Sequence, residues 1–404
     1  MTALVAQYDV ANVRQQPLSI EAAAANVEVL KRQIARLQDR LKIAVIFGGS
    51  KSAPHAVINQ TTNPKSWKSY ESVAGDIANA LRRIGFRHVE LMPDDMSLGD
   101  QLRRAGTHLA WLNSGGVQGY NPASHASAML EMFGIPYVGH DPLVATILDN
   151  KHTFKGELTG AGIPTAPFMT WHLARGPFLP KLNNRFARIF RDYEGPFVVK
   201  PVSGRASLNV RVADDVNDLP DLVDEVFRAT ENLVLIETFL PGREFCVAVG
   251  GLVAAQRGTL TQRSIPFVFS EIERRLAPGE KIFTSMDVRP IDTGRILSID
   301  AAVDARILSD LVVLARDVYF EFNLGALVRL DVRADASGRL MVLEANPKPD
   351  LKRPSGEATS LVCAGLSEHG MNYEDLILSL LADRLNTLFN QRRATVRPII
   401  ELLE

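Results

Sequence analysis

Arg329-Leu330-Asp331-Val332-Arg333, then Asp335-Ala336-Ser337-Gly338, then Leu340-Met341-Val342-Leu343-Glu344-Ala345-Asn346 is the stretch that decides how this chain is read. Two apolar runs flank a turn-rich link, which predicts a hairpin with strands over Ala326–Arg333 and Leu340–Glu344. Side chains two residues apart on a strand share a face, so Glu344 and Asn346 point the same way. Asp331 can meet them across the pair, and Arg329 shares the face of Asp331. Two carboxylates and an amide form a hard-oxygen set suited to Mg²⁺ bound together with phosphate oxygens. The alternative is a polar, solvated hairpin face. Leu327, Val328, Leu330 and Leu340 to Leu343 weigh against it, because unpaired carboxylates among apolar neighbours are costly.

Outward from the hairpin, the same unit holds predicted strands at Glu244–Val249 and Leu252–Gln256 and a helix around Tyr373–Phe389. Upstream, Phe197–Lys200, Asn209–Val212 and Leu233–Glu237 read as strands of a second unit. Lys200 ends its strand before Pro201, and Val202–Ser207 is a loop of small and hydroxyl residues that can turn backbone N–H groups toward a phosphate. Lys151 opens a predicted helix. Lone lysines are usually solvated, and neither counts by itself. Leu233 to Glu244 runs from an apolar strand through a linker to a Pro241-Gly242 turn. Such a linker can offer backbone groups to a purine edge, and Glu244 can bond a ribose hydroxyl; an ordinary strand–turn–strand reads the same.

The first unit alternates. Ile43–Phe47 opens into Gly48-Gly49-Ser50, a helix spans about Tyr70–Ile84, and strands follow at Arg87–Met92 and Leu109–Leu112, the last ending in Asn113-Ser114-Gly115-Gly116. This predicts an open parallel α/β sheet with ligands beyond the carboxyl ends of its strands, so the loops after Phe47 and Leu112 are expected substrate walls. Residues 1–18 carry no clear period. Ser19–Leu41 reads as an amphipathic helix, a packed appendage or a dimer contact. Segment 175–195 reads as an exposed insertion, and 262–290 as a mobile loop.

The 404 residues require two or three cores. With 45 basic and 46 acidic residues the net charge is −1, so no global field favours nucleic acid. Cys246 and Cys363 sit in apolar stretches and read as packed thiols of a reducing compartment. Neither a signal peptide nor an apolar run long enough to span a bilayer is expected, which places the chain in the cytoplasm by elimination.

Three stretches give this order a family resemblance covering about residues 42–385. Asn113-Ser114-Gly115-Gly116 leads to Met132-Phe133-Gly134-Ile135-Pro136-Tyr137-Val138-Gly139. Asp149-Asn150-Lys151 leads to Ala161-Gly162-Ile163-Pro164-Thr165. Glu344-Ala345-Asn346-Pro347-Lys348-Pro349-Asp350-Leu351 closes the set. Together they resemble the D-alanine–D-alanine ligase branch of the ATP-grasp superfamily. The resemblance implies an α/β chain with the α+β ATP-grasp arrangement: an N-terminal open parallel α/β domain, then two subdomains that sandwich ATP. The implied division is a helical extension at 1–41, a substrate domain at 42–149, ATP-grasp subdomains at 150–243 and 244–390, and a tail at 391–404.

It further implies that Lys151 and Lys200 hold the ATP phosphates, that Glu237 and Leu240 border the adenine and that Glu244 binds the ribose. Asp331, Glu344 and Asn346 would bind two Mg²⁺ ions (Mn²⁺ is the substitute), and Arg329 would stabilise the tetrahedral intermediate. Ser207 stands in the phosphate loop, where Ala206 has replaced the first of the family's two serines. Arg274 and Lys281 are candidates for the γ-phosphate, or are only surface charges. Ser355 falls where the family holds the acceptor carboxylate. The implied reaction is an ATP-dependent, ADP-forming joining of a carboxylate to an amine through an acyl phosphate, on small-molecule substrates and in a homodimer.

The sequence departs from the family in the first loop, where Lys51 and His55 replace the glutamate that receives the donor ammonium. It departs again at Asp350, in place of an expected glycine. These changes touch substrate recognition, so the expected substrates are amino-acid-like but not two D-alanines. The alternatives are a true D-alanine–D-alanine ligase, an ATP-binding protein without turnover, and an ATP-grasp enzyme that uses no amine.

Overall fold

The structure, a computed structural model, describes residues 20–56, 69–117, 122–204, 207–283, 291, 294–356, 359–391 and 394–404. Residues 1–19, Arg205, Ala206 and the 284–290 part of the expected loop lie outside it.

The chain opens with α1 (Ile20–Leu37), β1 (Lys42–Phe47), α2 (Glu71–Ile84), β2 (His88–Pro93), α3 (Leu98–Ala105), β3 (Leu109–Leu112), α4 (His125–Phe133) and β4 (Tyr137–Val138). The four strands form a parallel sheet in the order β2-β1-β3-β4. Its inner strands β1 and β3 are apolar runs because helices cover them, whereas the edge strand β2 is half-exposed. The predicted stripe of α1 is buried through Val27, Leu30, Ile34 and Leu37 against the molecule's own core, so α1 is a packed appendage. α5 (Pro142–Asp149) and α6 (Lys151–Gly160) follow without a break, and Asn150 caps α6 by accepting from the Thr153 N–H at 3.1 Å.

The next layer is β5 (Phe168–Trp171), α7 (Asn184–Phe190), β6 (Phe197–Pro201), β7 (Arg211–Ala213), α8 (Leu219–Thr230) and β8 (Val234–Thr238), with an antiparallel sheet in the order β5-β8-β6-β7. The expected exposed insertion at 175–195 is corrected here. Phe178, Phe186 and Phe190 are buried against Phe197. The basic residues between them mask an i, i+4 apolar pair on α7, which Asn183 caps by accepting from the Phe186 N–H. Phe186→Ala should therefore lower stability by about 3–5 kcal/mol. A denaturation midpoint within error of wild type would place the ring outside the core.

The last layer contains β9 (Glu244–Val249), β10 (Val253–Gln256), β11 (Thr259–Gln262), β12 (Val268–Arg274), β13 (Ile296–Ser298), α9 (Ala305–Glu321), β14 (Val328–Ala334), β15 (Leu340–Asn346), α10 (Tyr373–Gln391) and α11 (Arg397–Glu401). Its antiparallel sheet runs β13-β12-β9-β14-β15. The expected mobile loop at 262–290 is corrected over Val268–Arg274, which is a largely buried inner strand. A bulge between Phe269 and Ile272, with Ser270 at φ 53°, breaks the period-2 pattern that would have announced it. One face of this sheet carries Phe245, Val247, Val249, Leu330 and Val332 and packs on α9. The opposite face carries the polar residues considered next. At the junction of the second and third layers a Cβ on Gly242 would lie 2.7 Å from the Ala334 carbonyl oxygen, so only glycine lets the two backbones approach. No helix among the described residues is long and apolar enough to cross a membrane.

Candidate active site

The polar face is built by strand register. Glu244 on β9 lies between Arg274 on β12 and Arg333 on β14. In the next row Cys246 pairs with Asp331, which pairs with Glu344. Beyond it Ala248 pairs with Arg329, which pairs with Asn346. A bulge between Asp331 and Val332 sets this register. The predicted convergence of Arg329, Asp331, Glu344 and Asn346 is therefore present.

The carboxylates are held by cations. Arg329 donates to Asp331 through Nε at 2.8 Å and Nη2 at 3.1 Å. Arg274 donates to the other side of Asp331 through Nη1 at 2.8 Å and pairs with Glu244 through Nη2. Arg333 reaches Glu244 at 3.2 Å. Lys151, at the start of α6, lies 3.1 Å from Glu344. Burial alone would raise the Glu344 carboxyl, but Lys151, Lys200 and Arg329 pull it down to about 2. Burial likewise works against the Lys151 ammonium, and Glu344 overrides it, so its pKa stands above the ordinary lysine value.

Across the cleft, Glu237 on β8 is paired with both Lys200 and Lys155, the latter at 3.0 Å. Its carboxyl is held below the usual range by the two ammonium groups despite burial. Lys155 is fully buried, donates to Thr165 Oγ1 as well, and is shifted down by desolvation. The expected adenine neighbour Glu237 is thus a carboxylate that anchors a lysine pair while lining the cleft. Lys155 was not foreseen, although it sits four residues after Lys151 on the same helix.

The cleft has two chambers with about 780 and 1160 Å³ of open space. The first is lined by Lys200, Glu237, Phe239, Leu240 and Glu244, and the second by Gly115, Arg329, Asn346, Asp350 and Ser360. Lys151, Ser207, Arg274, Asp331 and Glu344 line both. Among the described residues, neither the N–H nor the C=O of Leu240 is hydrogen-bonded, so the linker edge is open to a ligand. Ser207, at φ 56°, donates its hydroxyl to the Phe283 carbonyl at 2.9 Å and so ties the loop after β6 to the segment after β12.

Several expected residues are elsewhere. Lys51 and His55 are exposed and line neither chamber; among the described residues the loop after β3 contributes Gly115, and the loop after β1 contributes Tyr70 at its far end. Lys281 is exposed, pairs with Asp214, and offers the site only its carbonyl, which accepts from Arg333. Arg274 is no surface charge; it is buried between Asp331 and Glu244. Ser355 is exposed and lines neither chamber, whereas the buried Ser360 lines the second. Loop residues so far from the hairpin have no register to place them.

No group of three or more His, Cys, Asp or Glu able to hold a metal by itself occurs among the described residues. The donor set is two carboxylates and an amide, and the buried Asn346 Nδ2 has no hydrogen-bond partner there. That set fits a hard divalent ion that brings phosphate oxygens and water with it, rather than a closed protein cage.

The comparisons agree with this architecture. The family model described as D-ala D-ala ligase C-terminus matches residues 158–382. A D-alanine--D-alanine ligase of Marinomonas sp. (strain MWYL1) is 26% identical over 339 residues, covering 83% of this chain and 93% of that protein. The D-alanine--D-alanine ligase of Bacillus anthracis complexed with ATP superposes with a TM-score of 0.58 at 19% identity, covering 87% of this chain and 99% of that one. The VanG D-Ala:D-Ser ligase of Enterococcus faecalis superposes with a TM-score of 0.59 at 18% identity, covering 85% and 99%. At these identities the two solved structures establish a shared fold.

Proposed function

This chain belongs to the D-ala D-ala ligase C-terminus family, matched over more than half its length, and on that premise we propose that it is an ADP-forming ATP-grasp ligase joining an amino-acid-like carboxylate to an amine. The observation that carries the reading is the meeting of two chambers at one row of charged side chains. In this reading the nucleotide enters the first chamber. The Leu240 backbone edge faces the purine, Glu244 the ribose, and Lys151 and Lys200 the phosphates. Asp331, Glu344 and the Asn346 amide oxygen would hold Mg²⁺, whose chemistry there is to neutralise phosphate charge and keep the reacting oxygens aligned.

The reaction needs positioning and charge neutralisation more than a nucleophile. A donor carboxylate oxygen attacks the γ-phosphorus, ADP leaves, and an acyl phosphate remains. The acceptor amine then attacks the acyl carbon, Arg329 faces the oxyanion, and phosphate departs as the amine loses its proton. The lining cations Lys151, Lys200, Arg274, Arg329, Arg333 and Lys348 are matched by Asp149, Glu237, Glu244, Asp331, Glu344 and Asp350, so a polyphosphate would need its divalent ions to neutralise it.

The sheets support a division into a substrate domain at 42–149 and ATP-grasp subdomains at 150–243 and 244–390, with 1–41 and 391–404 as flanking segments. Asp350 and Ser360 in the second chamber, and a first loop without a carboxylate, support substrates other than two D-alanines. Exposed Met96, Met132, Phe133 and Leu143 on the first layer support a homodimer, and two buried free thiols suit the cytoplasm. The test is phosphate release across pooled amino acids and small carboxylic acids, with mass spectrometry of the products. Release should require a carboxylate and an amine together and give their condensed mass. Full turnover with D-alanine alone would overturn the substrate assignment, and ATP hydrolysis without any condensed product would overturn the ligase.

A further inference from the structure

Asp331 is the residue of the metal set whose lone pairs are most fully used. Arg329 takes one oxygen through Nε, and Arg274 and Arg329 share the other. The Arg329 contact is local, two residues along the same strand. The Arg274 contact spans the sheet from β12, past β9, to β14. The same guanidinium pairs with Glu244, its direct cross-strand neighbour. One side chain therefore bridges the carboxylate assigned to the ribose and a carboxylate assigned to the metal. It is fixed from above by the Phe283 ring, 5.0 Å from the guanidinium carbon, and the Phe283 carbonyl is in turn held by Ser207.

Three of the carboxylate's lone-pair sites are taken, and both on Oδ2 are filled by guanidinium groups. A divalent ion can reach Oδ2 only by displacing one of them, and the cross-sheet partner is the one with somewhere to go. Arg274 lines both chambers beside Lys151, where phosphate oxygens would offer a replacement partner. Resting on the ligase reading above, we infer that Arg274 is a stopper that closes Asp331 Oδ2 to divalent metal until a nucleotide arrives to take over its guanidinium. Metal without nucleotide then meets a site already filled by a protein cation.

The test is Mn²⁺ binding to nucleotide-free protein, followed by the electron paramagnetic resonance signal of free Mn²⁺. Arg274→Gln should bind Mn²⁺ at least about tenfold more tightly than wild type, because Asp331, left with Arg329 alone, is a buried carboxylate short of one cation. Arg274→Lys keeps the charge but cannot bridge both carboxylates, and should fall between them. It also covers the case in which the glutamine variant does not fold, as judged by circular dichroism. Equal nucleotide-free Mn²⁺ affinity in wild type and the folded variants would overturn the stopper. A parallel titration with ADP and Mn²⁺ separates the two claims. If wild type binds ADP–Mn²⁺ but the variants show no gain without nucleotide, only the stopper fails. If wild type binds no nucleotide at all, the ligase reading fails with it.

Discussion

Glu344→Gln and Asp331→Asn should each cut ATP-dependent phosphate release by more than about a hundredfold, a loss seen even when outer partners of a metal site are removed. Both substitutions keep shape and remove one charge from the row where the chambers meet. Glu344 is the more instructive. Its carboxyl is held down to about 2 because Lys151, Lys200 and Arg329 outweigh its burial. A group whose folded pKa lies below its unfolded value stabilises the fold above the unfolded value, near the ordinary 4.5, and that contribution fades as pH falls toward 2. Glutamine removes this term. The variant should therefore show a flatter loss of stability between those pH values, while its circular dichroism at neutral pH stays native. Phosphate release at the wild-type rate in both variants would show that these side chains do not hold the metal.

Lys155→Met is expected to be the most destabilising single change near the cleft, at about 3–5 kcal/mol, the usual result of removing one partner from a buried ion pair. Glu237 is 2% exposed and would be left with Lys200 alone. Lys200 borders the open chamber and in the proposed mechanism must also serve phosphate. Lys155 further holds Thr165, whose hydroxyl donates to the Val342 carbonyl at 2.7 Å, so the loss also loosens α6 against β15. A companion variant separates charge from packing: Lys155→Met with Glu237→Leu should recover part of the loss, since a buried pair replaced by apolar groups of similar volume is often neutral. Thermal unfolding of the four proteins in the cycle measures it. A double variant no more stable than Lys155→Met alone would mean that the lysine acts through packing and not through Glu237.

How far each residue could be read from the chain depends on the distance over which its position is set. Arg329, Asp331, Glu344 and Asn346 lie on two strands joined by a short turn, and alternation puts them on one face whatever else the protein does. Lys200 follows from a strand end before a proline. Arg274 and Phe283 were harder, because the bulge at Ser270 shifts the alternation of β12 and hides an inner strand inside a stretch that looks like loop. Phe178, Phe186 and Phe190 were hidden by the lysines and arginines between them. Lys51, His55, Lys281 and Ser355 were placed by motif position alone, and loop residues carry no periodic rule that ties a position in the chain to a position in space.

The amino-acid sequence alone determined the alternating strands of the first sheet, the family, the hairpin that gathers the carboxylates, and the two lysines that precede it. Those features depend on period, turn chemistry and short spacing, all written locally. Only the tertiary structure decided which cation sits on which carboxylate: Arg274 on Asp331 and Glu244, Lys155 beside Lys200 on Glu237, and Lys151 on Glu344. Ion pairing is set by burial and by distances of a few ångströms between strands far apart in the chain, and a charge carries no mark in sequence of the partner that folding will bring to it.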